Sequence, residues 1–201
     1  MHLNLHQERG DEGAIVRRLL EQSGALRKGH FRLSSGRHSA SYVQCALLLE
    51  EPARAARVGE MLAEPLRQLE VESVLSPALG GLVIGHAVAA ALGVPFRFCE
   101  RHQGRMELRR GFQLRPAERV VVIEDVITTG GSAAEAAALA AAAGAEVKSV
   151  GAIILRGEAR ALSEPVVGLL RLELASWDGD ECPLCAGGTA LTAPGSRPSA
   201  E

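Results

Sequence analysis

Apolar positions along this chain follow two periods, and their alternation predicts the architecture. Ile15, Val16, Leu19 and Leu20 recur at helical spacing within 13–24, and Ser23-Gly24 supplies a stop. Residues 1–12 are polar and expected to fray. Between 25 and 44 short apolar stretches flank Ser35-Gly36, the pattern of two strands joined by a turn. Pro52 opens a helix expected to reach about Gln68, with Ala56, Val58, Met61, Leu62, Leu66 and Leu69 on its apolar face. Strand 74–77, tight loop 78–81, helix 82–92 and strand 96–99 follow, with Gly93-Val-Pro95 closing the helix. Residues 100–111 are polar and charged and predict a flexible loop. The unbroken β-branched run Val120–Ile123 fits a strand buried on both faces, within a strand over 119–125. Helix 132–143, stopped by Gly144, precedes strands over 147–155 and 167–174. Strands alternating with helices predict an α/β fold with a parallel sheet, whose ligands bind at the strand carboxyl ends. From Ser176 onward, Gly, Pro and Ser predict an irregular tail.

Composition narrows the function more than the fold. The 201 residues suit one domain with a sizeable core or one domain with small appendages, and the net charge of −2 leaves no basic footprint for nucleic acid. Aromatic residues at 3% cannot supply a stacking platform for single strands. No charged-then-apolar leader pattern opens the sequence, and no apolar run suits a bilayer span, so a cytoplasmic protein is expected. Cys45 and Cys99 lie in strand-like apolar contexts that suit buried thiols. Cys182-Pro-Leu-Cys185 has the spacing of half a zinc site, but neither a second such pair nor a nearby His pair accompanies it. Zinc would therefore require sharing between subunits, and a structural turn with reduced thiols is the favoured expectation.

Chemistry concentrates in Val120-Val-Val-Ile-Glu-Asp-Val-Ile-Thr-Thr-Gly-Gly-Ser132. Glu124 and Asp125 stand where the strand is expected to end. Thr128, Thr129, Gly130, Gly131 and Ser132 lead into an alanine-rich helix. Free backbone N–H groups and the positive end of a helix dipole suit a phosphate monoester, and two glycines permit close approach. Adjacent carboxylates would repel that phosphate unless they hold ribose hydroxyls or Mg²⁺. No Gly-Lys-Ser/Thr follows, so this is not a nucleotide-triphosphate loop, and the dinucleotide Gly pattern is absent as well. An ordinary strand-to-helix turn would need neither two acids nor three hydroxyls.

The thirteen residues resemble the phosphoribosyl-pyrophosphate (PRPP) signature of type I phosphoribosyltransferases. Lys28-Gly-His-Phe-Arg-Leu-Ser-Ser-Gly-Arg-His-Ser39 resembles the N-terminal hood motif of the orotate branch. Cys182-Pro-Leu-Cys185 with Pro194-Gly-Ser-Arg197 is similar to the tail of a short-loop subgroup of that branch. The resemblance implies a type I fold over 1–175, with a hood mainly in 1–45 and a tail over 176–201. It implies transfer of the phosphoribosyl group from PRPP to orotate, with Mg²⁺ carried mainly by PRPP and Asp125 as a possible ligand. Glu124 and Asp125 would hold the ribose hydroxyls, and Val126, Ile127, Thr128, Thr129, Gly130, Gly131 and Ser132 would bind the 5′-phosphate. Thr128 and Arg156 would meet orotate, although a solvent-facing charge at a strand end explains Arg156 almost as well. Ala78, Leu79, Gly80 and Gly81 match the pyrophosphate loop, with Gly80 where several relatives carry lysine. A plain strand–helix turn is the alternative there.

The segment 100–111 matches a mobile loop that in many relatives carries lysines and closes over a neighbouring subunit's site. Here it has no lysine. Arg101 takes the place of the principal lysine, and His102 and Arg105 are candidates for further cationic contacts. For Arg105, Arg109 and Arg110 an exposed charged hairpin is an equal alternative. His30 and His38 are expected to be structural. The resemblance further implies a homodimer and neither nucleic-acid nor membrane partners. A purine-type phosphoribosyltransferase would share the PRPP loop but not the hood motif. A non-catalytic PRPP-sensing regulator on this fold often carries an appended DNA-binding domain, for which the 201 residues leave no room and show no basic stripe.

Overall fold

The computed structural model describes residues 10–33 and 35–194. Residues 1–9, Ser34 of the hood motif and Gly195–Arg197 of the tail motif lie outside them. Helix α1 (Gly10–Gln22) leads into antiparallel strands β1 (Leu26–Arg32) and β2 (His38–Val43). Helices α2 (Cys45–Leu49) and α3 (Pro52–Ala63) follow, then a 3₁₀ turn over Glu64–Leu69. The expected single helix to Gln68 is thus divided. Pro65 offers no N–H and disfavours α geometry in the residue before it, so the chain tightens there.

The main sheet contains β3 (Ser73–Pro77), β4 (Phe96–His102), β5 (Arg105–Leu108), β6 (Arg119–Ile127), β7 (Glu146–Leu155) and β8 (Val166–Arg171). Their order is β5-β4-β3-β6-β7-β8, parallel throughout except for β5. Helices α4 (Gly81–Leu92) and α5 (Gly131–Ala142) complete the crossovers. The β6 run shows why its polar alternation vanishes. Val121 and Ile123 enter one core with α1, α3 and α4, whereas Val120 and Val122 enter the other with Ala133, Ala136, Ala137 and Ala140 of α5. Both faces are buried, so every position is apolar. No helix among the described residues is long and apolar enough to cross a membrane.

Two expectations need correction. Residues 100–111 are not simply a loop: Cys99–His102 pair with Arg105–Leu108 as a hairpin. Gln103 and Gly104 have φ of 48° and 82°, the conformation of a two-residue turn that matches strand twist. The tail is not irregular over its described part. Ser176–Trp177 forms β9 beside β2, completing a β1-β2-β9 sheet, and Pro183–Ala186 forms the short helix α6. Arg37 donates to both carboxylate oxygens of Asp178, at 2.8 and 2.9 Å, and to the Ser176 carbonyl at 2.6 Å. The N–H of Thr192 donates to the His30 carbonyl at 2.9 Å. Hydrogen bonds, which composition does not report, order this segment against the hood.

Candidate active site

Three loops gather at the carboxyl ends of β3, β6 and β7. The β6 strand continues through Ile127, so Glu124 and Asp125 lie within it rather than at its end, and Val126 and Ile127 are strand residues. The loop proper is Thr128–Gly130. The reason is pairing: β7 supplies a ladder past the carboxylates, with Glu124 opposite Ala152 and Ile127 opposite Leu155. Gly130 takes φ +85°, a left-handed turn that aims the chain into α5, and its carbonyl accepts the Ala134 N–H at 2.8 Å. The Thr128 carbonyl accepts from the Ala159 N–H at 3.3 Å, and that of Thr129 from Ala161 at 3.0 Å. Thr128 and Thr129 remain exposed, with Gly131 and Ser132 part-buried at the first turn of α5. A segment beyond β7 therefore braces the loop while leaving its outer side open, as an anion cradle requires.

The pyrophosphate-loop match meets this cradle. A Cβ built on Gly80 would stand 2.5 Å from Oδ1 of Asp125. Only glycine lets the carboxylate approach that backbone so closely. Ala78 donates its N–H to the Cys99 carbonyl at 2.8 Å, Leu79 is 76% exposed, and Gly81 starts α4. Gly80, in the loop after β3, and Asp125, on β6, therefore meet at one place.

Burial pushes the Asp125 carboxyl above its ordinary value, and N–H groups of Val126 and of Asp125 itself pull it back. The Val126 N–H lies 2.9 Å from Oδ1. Glu124 is also buried, at 9% exposure. Tyr42, the chain's single tyrosine, belongs to this neighbourhood although its sequence context did not single it out. Burial first and the Asp125 charge second raise its phenol, while Arg156 and Arg27 pull it down. Arg27 stands opposite Tyr42 in the hood register. Arg156 is half-buried rather than solvent-facing. Burial lowers its guanidinium and Tyr42 opposes that shift, while its N–H donates to the Ile127 carbonyl at 2.8 Å. The signal available for Tyr42 was its rarity within the hood region.

The hairpin residues divide. Arg101 forms an ion pair with Glu135 of α5 at 2.7 Å and donates to the Gly104 carbonyl at 2.9 Å. Glu135 carried no sequence signal. His102 and Arg105 face each other across the turn register, and Arg105 forms no ion pair with a described residue. Arg109 and Arg110 approach Glu100 at 3.7 and 3.2 Å, and Arg110 lies over Phe98. Those last contacts are what an exposed charged hairpin makes.

The combination of PRPP-type loop, pyrophosphate-type loop and hood has close parallels. The chain is 46% identical over 184 residues to orotate phosphoribosyltransferase of Thermotoga maritima, covering 91% of this chain and 98% of that one. It is 44% identical to that of Chlorobaculum parvum, covering 91% and 95%. The chain belongs to the orotate phosphoribosyltransferase family. The structure of orotate phosphoribosyltransferase from Aeropyrum pernix superposes with a TM-score of 0.69 at 26% identity, covering 78% of this chain and 93% of that chain. The fold is therefore that of a type I phosphoribosyltransferase. No family model matches the chain.

The two thiols outside the tail are buried. Burial raises the Cys45 thiol well above its ordinary value and pushes Cys99 up to about 12. The tail pair differs. Two histidines from the hood lie beside it within this same chain, correcting the expectation that zinc ligands could be completed only between subunits.

Proposed function

We propose that this protein transfers the 5-phosphoribosyl group of PRPP to orotate, forming orotidine 5′-monophosphate and pyrophosphate. In the reaction the C1–oxygen bond to pyrophosphate breaks, and orotate N1 bonds to C1. Positive charge develops on the ribose as the leaving group departs. The observation that carries this reading is the meeting of Asp125 with the Gly80 loop beside the Thr128–Gly130 cradle. A phosphate, a ribose and a leaving pyrophosphate need those three neighbours at once.

Glu124 and Asp125 act on the ribose hydroxyls, where a fixed carboxylate favours the oxocarbenium-like transition state. Thr128, Thr129, Gly130, Gly131 and Ser132 hold the 5′-phosphate, with Val126 and Ile127 presenting them from the strand. Residues 78–81 meet pyrophosphate through backbone N–H groups, and Thr128 and Arg156 meet orotate. Arg101, with His102 and Arg105, supplies cations to pyrophosphate on closure. The donor set suits Mg²⁺, which binds through one or two carboxylates together with substrate phosphates. Asp125 would share it, and bound Mg²⁺ would neutralise charge on pyrophosphate. The exposed Arg101–Glu135 pair, with about 40% of each side chain exposed, is worth under ~1 kcal/mol. Arg101 can leave it to serve a partner's site in the homodimer that this reading requires, working in the cytoplasm.

An orotate-dependent turnover assay with PRPP and Mg²⁺ tests the reaction. Product formation with orotate and none with adenine or guanine is expected. PRPP binding without turnover would instead identify a sensor, and turnover with a purine base a different specificity. Light scattering that finds a fully active monomer would remove the shared site.

A further inference from the structure

We infer that His30, His38, Cys182 and Cys185 form a closed structural zinc site that fastens the C-terminal segment to the hood. One ligand atom from each residue lies within 4.8 Å of every other. His30 Nε2 is 3.0 Å from His38 Nδ1 and 3.4 Å from Cys182 Sγ. Cys185 Sγ is 3.3 Å from His38 Nδ1 and 3.8 Å from His30 Nε2. A tetrahedral zinc with bonds of about 2.0–2.1 Å to nitrogen and about 2.3 Å to sulfur spaces its ligand atoms roughly 3.3–3.8 Å apart. Four of the six pairs, at 3.0–3.8 Å, already stand near those spacings, and all six lie within 4.8 Å.

The surroundings fit a metal better than a hydrogen-bonded cluster. His30 and His38 are 3% and 8% exposed and Cys182 is 2% exposed, with Cys185 closing the cluster on its exposed side. The Thr189 carbonyl lies 2.8 Å from His30 Nδ1, so Nδ1 carries the proton and the bare Nε2 turns toward the other three atoms. Metal-binding imidazoles are held in this way by an outer carbonyl. Cys182 caps α6 and Cys185 lies within it, so Cys-x-x-Cys presents both sulfurs from one tight turn. Two thiolates balance the charge of a divalent cation, which a largely buried site needs. Two Cys and two His in a tetrahedral set select zinc over Mg²⁺ or Ca²⁺, which prefer oxygen. All four positions are filled by protein, so the metal is structural rather than catalytic.

Location gives the site its purpose. His30 and His38 lie on β1 and β2, and Cys182 and Cys185 follow β9, the third strand of the same sheet. The β2–β9 ladder pairs only His38 with Trp177 and Ser39 with Ser176. So short a pairing is marginal in water, and the metal would add binding energy to it and to the hydrogen bonds of Arg37 and Thr192. The same two hood strands carry Arg27 and Tyr42, so the zinc also steadies the side of the substrate site that the hood provides.

The test measures metal and stability on the full chain, purified without chelator from zinc-supplemented medium. One zinc per chain is expected by elemental analysis. Cobalt added to metal-stripped protein should give the visible bands and thiolate charge-transfer absorption of a tetrahedral cobalt site. Cys185→Ser should lower zinc affinity by at least about 100-fold, exceeding the scale of an outer-sphere change. Because His30→Ala or Cys182→Ser could simply unfold, zinc titration of the wild-type melting temperature serves as the independent measurement, and a rise is expected. Protein with only trace zinc, no cobalt–thiolate absorption and no change in melting temperature would overturn the site. So would a Cys182–Cys185 disulfide that persists in the freshly purified protein under a reducing atmosphere.

Discussion

A carboxylate stands toward each end of β6, buried at Glu118 and half-buried at Asp125, and the protein treats them in opposite ways. Glu118, just before the strand, accepts from Ser73 Oγ at 2.6 Å, Arg97 at 2.7 Å and the Arg115 N–H at 2.8 Å. Burial works to raise its carboxyl, but those donors outweigh it and hold the group at about 2. Asp125, near the other end, has only backbone N–H groups against its burial, and its carboxyl stays above the ordinary value. One end ties β3, β4 and β6 together. The other keeps a charge underused in the folded chain, available to a ligand that brings positive charge and hydroxyls. With the proposed role of Asp125, stability and reactivity are separated along one strand, the arrangement expected when a functional group is left partly unsatisfied.

The largest effect expected is on the reactive end. Asp125→Asn should lower kcat/KM by well over 10²-fold, more than about 2.7 kcal/mol of transition-state stabilisation. Its thermal stability should hold or rise. A carboxyl raised by burial is disfavoured when ionised, so its cost acts above its own pKa and fades as pH falls through it. Steady-state kinetics and melting curves at neutral pH check both halves, and near-normal kcat/KM would break the comparison.

Glu118→Gln should do the reverse. Removing one charge from a buried, hydrogen-bonded pair costs about 3 kcal/mol, or roughly 6–12 °C in melting temperature for a chain of this size. Turnover per folded molecule should be unchanged. A carboxyl held down at about 2 contributes its full stability above the usual carboxylate range and loses it as pH falls through 2. The deficit of the variant should therefore shrink in acid, and a deficit independent of pH would contradict the charge argument.

Arg101→Ala should lower kcat by roughly 10²-fold with little change in orotate affinity, and Arg101→Lys should restore part of the rate. Mixing Arg101→Ala with Asp125→Asn subunits sharpens the test. If the hairpin acts across an interface, a hybrid holds one intact site and activity returns. No recovery after proven subunit exchange would confine Arg101 to its own subunit or remove its role. The smallest effect is expected from Arg115→Ala. Its side chain is 70% exposed and 3.5 Å from Glu118, and its backbone N–H supplies the closer contact. Chemical denaturation should detect no more than about 0.5 kcal/mol.

The hairpin and the tail show where local reading failed. Met106 and Leu108 do alternate, and Gly104 marks a turn, but the surrounding charges concealed a short edge strand whose partner is β4. The tail's Gly and Pro content describes backbone freedom in isolation, whereas β2 and Arg37 supply the hydrogen bonds that order it.

What the sequence alone determined is everything encoded within a few neighbouring residues. Alternation and β-branching set the parallel strands, and the contiguous run from Val120 to Ser132 carried its strand, acids, glycines and helix start together. Tertiary structure alone decided which distant groups meet. Gly80 reaches Asp125 because β3 lies beside β6. Tyr42 joins Arg156 and Asp125 from the hood, and Cys182 meets His30 from 152 positions away. Periodicity reports the face each residue presents. Sheet order and crossover packing fix which faces and loop ends come together, and no spacing along the chain records that choice.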